Sequence, residues 1–249
     1  MAKKIYIDAG HGGCQPGATN GKRKESDDVL RLALKIQELL KKQDCQIRMS
    51  RTTDVDVNIN DRCNDANKWG ADYFLAIHRN SASASATGDE IWIYSKASDI
   101  TKAKATNILN AVVRVDGLTN RGVHKGAAAY SDYGVNKYTN MHSALLELGF
   151  ISNSNDNKVY DKKLDDIALA LAKVLLSVVG SSWVDPIQKG DVNGDGKVTS
   201  ADAREALRAS AKLETLTDKQ KQTADVNGDG KITAADAREI LKDAARIKE

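Results

Sequence analysis

The chain has 249 residues, of which 41% are hydrophobic and 29% charged, and its net charge is +3. This length suits one or two domains, and the composition is that of a folded globular protein rather than a disordered one. No apolar run approaches the ~20 residues that a membrane span needs, and no concentrated basic stripe of the kind that marks nucleic-acid binders is present.

In chain order, Ile5 to Asp8 reads as a short strand. Residues 26–42 follow as a helix, with Val29, Leu32, Ala33, Ile36 and Leu40 at helical spacing, Ser26 as N-cap, and Asp27 and Asp28 in the first turn. Gln46 to Met49 reads as a strand, residues 58–69 as a helix and Tyr73 to Ile77 as a buried strand. Ile91 to Tyr94 is a further strand, 100–115 a helix, Ala144 to Phe150 a strand and 163–179 a closing helix. This alternation predicts an α/β domain over residues 1–180, a twisted, mostly parallel sheet flanked by helices. Residues 181–189, around Trp183 and Pro186, break the pattern and read as a linker.

Residues 190–249 contain an internal repeat of period 34. Asp191–Arg208 recurs as Asp225–Lys242, differing at only four of 18 positions: Val198/Ile232, Ser200/Ala234, Ala206/Ile240 and Arg208/Lys242. Each copy opens with Asp-x-Asn-x-Asp-Gly and carries an acid at position 12, the pattern of a calcium-binding loop. The expected ligands are Asp191, Asn193, Asp195, the Lys197 carbonyl and Asp202 in the first loop. In the second they are Asp225, Asn227, Asp229, the Lys231 carbonyl and Asp236. Gly196 and Gly230 stand at the sixth position, where the loop turns, and the repeated apolar pairs Val198/Ile232 and Leu207/Leu241 predict loop-helix units rather than an acidic tail. The reading is a small all-α domain of paired calcium loop-helix units, holding two structural calcium ions that supply much of its folding energy.

Four separated stretches of the first domain carry chemistry: Asp8–Gly13 around His11, Glu25 at the mouth of the first helix, Ile77-His78 with Asn80, and Glu147-Leu148-Gly149-Phe150. Two imidazoles and one carboxylate can hold a catalytic zinc and leave one position open. His11 and His78 both fall where a strand ends, the edge at which open α/β sheets place their sites. A second carboxylate, Glu147, can move the proton that hydrolysis requires.

These residues sit in motifs that resemble the family 3 zinc-dependent N-acetylmuramoyl-L-alanine amidases, which cut bacterial cell-wall peptidoglycan. The resemblance runs over roughly residues 3–179 and takes in Pro16-Gly17-Ala18, Arg51-Thr52 with Asp54, Asp61-Arg62 with Ala66-Asn67, Gly88 with Glu90, Arg121-Gly122-Val123, and Glu147 to Asn153 with Asp156. It implies one catalytic zinc on His11, Glu25 and His78, with Glu147 catalytic, and cleavage of the amide between N-acetylmuramic acid and L-alanine. Ser26, His124 and Met141-His142-Ser143 depart from the family pattern without removing a ligand. His124 and His142 read as loop histidines with no metal role. Tyr130, Tyr133 and Tyr138 are candidates to stack on sugar or pack over the stem peptide.

The C-terminal repeats resemble a type I dockerin, on two features: Asp rather than Glu as the last loop ligand, and no helix before the first loop. That resemblance implies docking on a cohesin domain. Positions 10 and 11 of the loops, which often carry hydroxyls in dockerins, are Ser200-Ala201 and Ala234-Ala235, which leaves three readings: an unusual cohesin met through Arg204 and Arg238, another wall component, or a calcium-stabilised appendage without a partner.

Cys14, Cys45 and Cys63 are odd in number and form no Cys-x-x-Cys pair, so free thiols are expected. Met-Ala-Lys-Lys leads directly into Ile5 with no apolar leader core. A phage or prophage endolysin is therefore expected ahead of a secreted wall enzyme. From a different class comes a wall-binding or cohesin-docked protein whose amidase domain is inactive. Another zinc hydrolase, such as a carboxypeptidase or deacetylase, is disfavoured by the Glu-Leu-Gly-Phe-Ile-Ser-Asn context.

Overall fold

The alternation of Lys3–Ala9, strand β1, sends Ile5, Ile7 and Ala9 to one side of a sheet and Tyr6 to the other. The same period of two divides β5 (Tyr73–Asn80), whose Leu75 and Ile77 join the first side and Phe74 and Ala76 the second. A sheet that is apolar on both faces must be covered on both. Helices α1 (Glu25–Leu40), α3 (Asp99–Asp116) and α5 (Ser154–Val178) cover one face, and α2 (Ile59–Trp69) and the single turn α4 (Gly134–Lys137) cover the other.

The computed structural model describes residues 2–129 and 131–245. Its six-stranded sheet adds β4 (Cys45–Met49), β6 (Asp89–Ile93), β7 (Asn120–Lys125) and β8 (His142–Phe150), in the order β4-β1-β5-β8-β6-β7. Strands β4, β1, β5 and β8 are mutually parallel, β6 pairs antiparallel with β8, and β7 runs parallel to β6. The mostly parallel sheet expected from the sequence is thus present, with two reversed strands at one edge. A two-stranded hairpin of β2 (Thr19–Asn20) and β3 (Arg23–Lys24) stands just before α1. No helix among the described residues is long and apolar enough to cross a membrane.

The first helix starts differently from expectation. Ser26 is not its N-cap: helical geometry begins at Glu25, Lys24 is the cap, and no side chain caps it. The free N–H groups of the first turn are met by backbone instead, Glu25 donating to the Ala18 carbonyl (2.9 Å) and Ser26 to that of Pro16 (3.0 Å). The 16–18 loop therefore caps the helix, which fixes Glu25 against it. Helix α5 begins at Ser154 rather than 163, because Asn153 accepts the N–H groups of Asn155 and Asp156 and nucleates a polar first turn. Apolar periodicity starts only later in that helix.

The chain divides into two compact units, residues 1–184 and 185–249. Within the first, Val184 is tied to the Gln43 side chain by two 2.8 Å hydrogen bonds, so residues 181–184 of the expected linker belong to it. The second unit contains α6 (Ser200–Ser210), α7 (Asp218–Ala224) and α8 (Ala234–Ala244). The repeat lies in α6 and α8, each opened by a Thr capping box, from Thr199 with Asp202 and from Thr233 with Asp236. Val192, Ala203, Ala206, Leu216, Ala224, Ala237 and Ile240 form its small core. Leu207 and Leu241 are each 49% exposed, so only Val198 and Ile232 of the repeated apolar pairs pack against that core.

Candidate metal and catalytic site

Period-two alternation aims the chemistry. His78 shares its parity with Phe74 and Ala76, and Glu147 with Leu145, so both project on the α2 side of the sheet at the C-terminal ends of β5 and β8. The two residues are register partners across the β5–β8 pair. Arg79, of opposite parity, is buried on the α1/α5 side, where its guanidinium meets Asp28 (2.6 Å) and Asn157 (2.8 Å).

His11 and Glu25 come from the loop after β1 and from the first turn of α1. Glu25 Oε1 faces His78 Nδ1 at 2.8 Å and His11 Nε2 at 3.2 Å, and the two imidazoles meet edge-on with centroids 4.9 Å apart. Backbone N–H groups fix the same carboxylate, that of Arg79 on Oε1 (3.0 Å) and that of Ala18 on Oε2 (2.8 Å). Ligand-type atoms of His11, Glu25 and His78 all lie within 4.8 Å of one another, and among the described residues no other set of three His, Cys, Asp or Glu meets so closely.

Two glycines make room for this cluster. A Cβ on Gly10 would stand 2.4 Å from the His78 ring, and one on Gly17 would lie 2.6 Å from both Glu25 Oε2 and the His11 ring. His11 itself has φ of 59°, a left-handed backbone that costs a non-glycine residue about 1–3 kcal/mol.

The electrostatics divide the two carboxylates. Burial opposes ionisation of Glu25, but hydrogen bonds and charge from His11 and His78 outweigh it and hold the carboxyl far below the usual range. Glu147 is driven the other way. Burial first, then the negative charges of Glu25 and Glu90, push its carboxyl well above the ordinary value, with Arg79 opposing. Its Oε2 is closed off from solvent and has no hydrogen-bond partner. These groups line one cleft of about 560 Å³, together with Asn58, Ile59 and Tyr133.

The donor set suits a divalent cation. Two imidazole nitrogens and a carboxylate that binds protons weakly are the chemistry zinc favours, and three protein ligands leave a position for water. Glu147 lines the same cleft, with one carboxylate oxygen buried and without a hydrogen-bond partner among the described residues. All four expected site residues of the first domain thus line this cleft.

Other candidates fall elsewhere. His124 and His142 are strand residues rather than loop residues. His124 packs on Trp92 (4.7 Å), and His142 Nδ1 meets Thr101 Oγ1 at 2.7 Å. Tyr133 lines the cleft, Tyr138 is 50% exposed and absent from its lining, and Tyr130 lies outside the described residues. All three cysteines are free, and Cys14 donates to Asp56.

In the repeat loops, oxygen atoms gather around backbone N–H groups. Asp191 accepts from Gly194 and Gly196, Asp195 from Lys197, and Asp202 from Val192, Asn193 and Thr199. Asp225, Asp229 and Asp236 repeat the arrangement with Gly228 and Gly230, Lys231, and Asn227 and Thr233. Oxygen-only donor sets of this kind suit a hard cation.

Sequence reasoning gave no role to Glu90, Asp89 or the pair Arg51 and Arg62. Glu90 had one usable signal, its distance of two residues from Gly88 within the family motif. The buried partners of the others come from separate strands and helices.

Residues 5–176 match the family described as N-acetylmuramoyl-L-alanine amidase, and residues 189–243 match the type I dockerin domain. The chain is 33% identical over 214 residues to the sporulation-specific N-acetylmuramoyl-L-alanine amidase of Bacillus subtilis (strain 168), covering 81% of each. It is 30% identical over 187 residues to the endolysin of Bacillus phage SPP1, covering 72% of this chain and 67% of that one. The crystal structure of N-acetylmuramoyl-L-alanine amidase from Clostridium difficile 630 superposes with a TM-score of 0.66 at 31% identity, over 73% of this chain and 99% of that one. Fold, cleft and comparisons agree: the chain belongs to the N-acetylmuramoyl-L-alanine amidase family and carries a type I dockerin domain after its amidase region.

Proposed function

We propose that this enzyme hydrolyses the amide between N-acetylmuramic acid and L-alanine of peptidoglycan by direct attack of water, using one zinc ion. His11, Glu25 and His78 hold the ion. When bound, zinc supplies Lewis-acid chemistry, acidifying water and polarising the scissile carbonyl. Glu147 takes the proton of the attacking water on its carboxylate and hands it to the departing alanine nitrogen. Its raised proton affinity suits a carboxylate that must hold a proton between those two transfers. The cleft wall formed by Asn58, Ile59 and Tyr133 receives the rest of the substrate.

The observation that carries this reading is the convergence of His11 and His78 on one oxygen of Glu25, in the cleft that Glu147 also lines. Digestion of purified peptidoglycan tests it. New L-alanine amino termini without new reducing sugars are expected, lost with a chelator and restored by zinc. New reducing ends, or activity indifferent to chelation, would refute it.

Around the catalytic unit, the reading is a wall-acting enzyme that works outside the cell or after release at lysis, with the resemblance to a phage endolysin supporting the second route. The dockerin module binds two calcium ions through the loop residues named above. It docks on a cohesin or another wall component through the exposed side chains of Arg204, Leu207, Arg238 and Leu241. Capture on immobilised cohesins, with and without calcium, measures that directly.

A further inference from the structure

Two buried arginines converge on the backbone that carries His11. Arg62, on α2, donates to the carbonyls of His11 (3.0 Å) and Ala9 (3.1 Å) and to Asp8 Oδ1 (2.9 Å). Arg51, just after β4, donates to the carbonyls of Ala9 (2.9 Å), Gly10 (2.9 Å) and Ser26 (2.8 Å). Three successive carbonyls, 9 to 11, and the one next to Glu25 are therefore held by two guanidinium forks. His11 is one of two non-glycine residues with left-handed backbone among the described residues; the other, Lys212, is exposed in the second unit.

Stability alone is a poor reason for this arrangement. Arg51 and Arg62 are 3% and 5% exposed, and Asp8 is the one carboxylate among the described residues that hydrogen-bonds either of them. The second oxygen of Asp8 has no partner. Apolar residues would fill such a space at lower cost. What they would lose is the directed fork: a guanidinium spreads five donors over a rigid plane, where an ammonium offers three on one compact, strongly hydrated centre.

We infer that Arg51 and Arg62 are positioning residues that hold His11 in its left-handed backbone, so that the imidazole is set for the metal before the metal arrives. This rests on the reading of His11 as a zinc ligand. A strained loop persists only where its surroundings over-determine it, and the two forks do so from α2 and from the end of β4. Through Ser26, Arg51 also ties the His11 loop to the turn that carries Glu25, and so fixes one ligand against another.

Arg62→Lys and Arg51→Lys in the full chain, with calcium saturating, test the inference. The readout is the zinc dissociation constant, measured by chelator competition on protein whose near-UV circular dichroism matches the parent. Each variant is expected to bind zinc about 10–100-fold more weakly, the range found when the groups that orient a metal ligand are changed. Ile36→Val, a core change away from the site, lowers thermal stability and should leave the constant alone. Parent-like affinity in both arginine variants overturns the inference, and so does an equal loss in Ile36→Val. Should Arg62→Lys fail to fold, Arg51→Lys, which keeps the Arg62 contacts, carries the same expectation by itself. His11→Ala separates the two layers: parent-like zinc binding there defeats the ligand reading, whereas lost binding there with unchanged arginine variants defeats only the positioning role.

Discussion

Glu147 and Glu90 stand directly opposite each other across the antiparallel β8–β6 pair, and their surroundings are opposite too. Glu90 is fully engaged. Its Oε1 accepts from Asn80 (2.9 Å) and Trp92 (3.0 Å), and its Oε2 pairs with Arg121 at 2.7 Å. Glu147 has an oxygen with no donor among the described residues. Of the two, only Glu147 is free to exchange a proton with substrate. Glu147→Gln is therefore expected to keep the zinc content of the parent while kcat falls by about 10²–10⁴, the range for a lost general base. Metal analysis alongside turnover of peptidoglycan fragments checks both halves; full activity in the variant would remove Glu147 from the mechanism.

The same opposition predicts a pH effect. Burial and the charges of Glu25 and Glu90 raise the Glu147 carboxyl, and water attack needs it ionised. Activity should therefore fall on the acid side as Glu147 takes up its proton. Glu90→Gln removes one of the negative charges and leaves Arg121 in place, so the acid limb of kcat/KM should move to lower pH. A limb that stays put, or moves up, contradicts the proposed coupling.

In the dockerin unit, the loop acids divide into those that also build the fold and those that do not. Asp202 and Asp236 are fully buried and complete the capping boxes of α6 and α8. Asp195 and Asp229 are exposed, and each accepts a backbone N–H within its own loop. Asp195→Ala and Asp229→Ala should change calcium-free stability by no more than about 0.5 kcal/mol, as surface changes do. They should cut the calcium response. One site at a hundredfold excess over Kd contributes about 2.7 kcal/mol, so each single variant loses one such step and the double variant loses both. Thermal melts of the full chain with calcium or chelator measure this, and a full calcium shift in the double variant refutes the loop assignment.

Much of this architecture was legible because it is local or periodic. His11, Glu25, His78 and Glu147 stand at strand ends or a helix start, and apolar alternation located those ends. Strand β7, Asn120–Lys125, was not legible, since its residues are polar and half-exposed at the sheet edge. The start of α1 was misread for a related reason. Ser26 carries a capping side chain, but the chain is already helical at Glu25, where the loop carbonyls of Ala18 and Pro16 hold the N–H groups of Glu25 and Ser26. The arginine forks were invisible for a different reason. Arg51 and Arg62 act on the backbone of residues 41 to 53 positions away, and carbonyls leave no mark in a sequence.

On the far side of β8, outside the cleft, the buried Asp89 carboxyl stands against that of the half-buried Asp116. Asp89 is fully buried, its Oδ1 accepts the Gly149 N–H (2.8 Å), and its Oδ2 has no donor among the described residues, a lack that a proton shared with Asp116 would meet. Asp156 lies alongside, its oxygens already taken by Thr87, Gly88 and Phe150. Burial, and then the charge of Asp116, push the Asp89 carboxyl up to about 9 from an ordinary 3.8. Between those values the folded protein holds a proton that the unfolded chain has released. Unfolding free energy must therefore fall as pH rises through that window, by at most ~1.4 kcal/mol per pH unit for one proton. Asp89→Asn supplies a permanent amide donor in place of the proton and should flatten that slope, gaining stability over the parent as pH goes from 6 to 9. Denaturant titrations at several pH values measure the slope directly, and a variant that tracks the parent across the window would show that no proton is held between the two carboxyls.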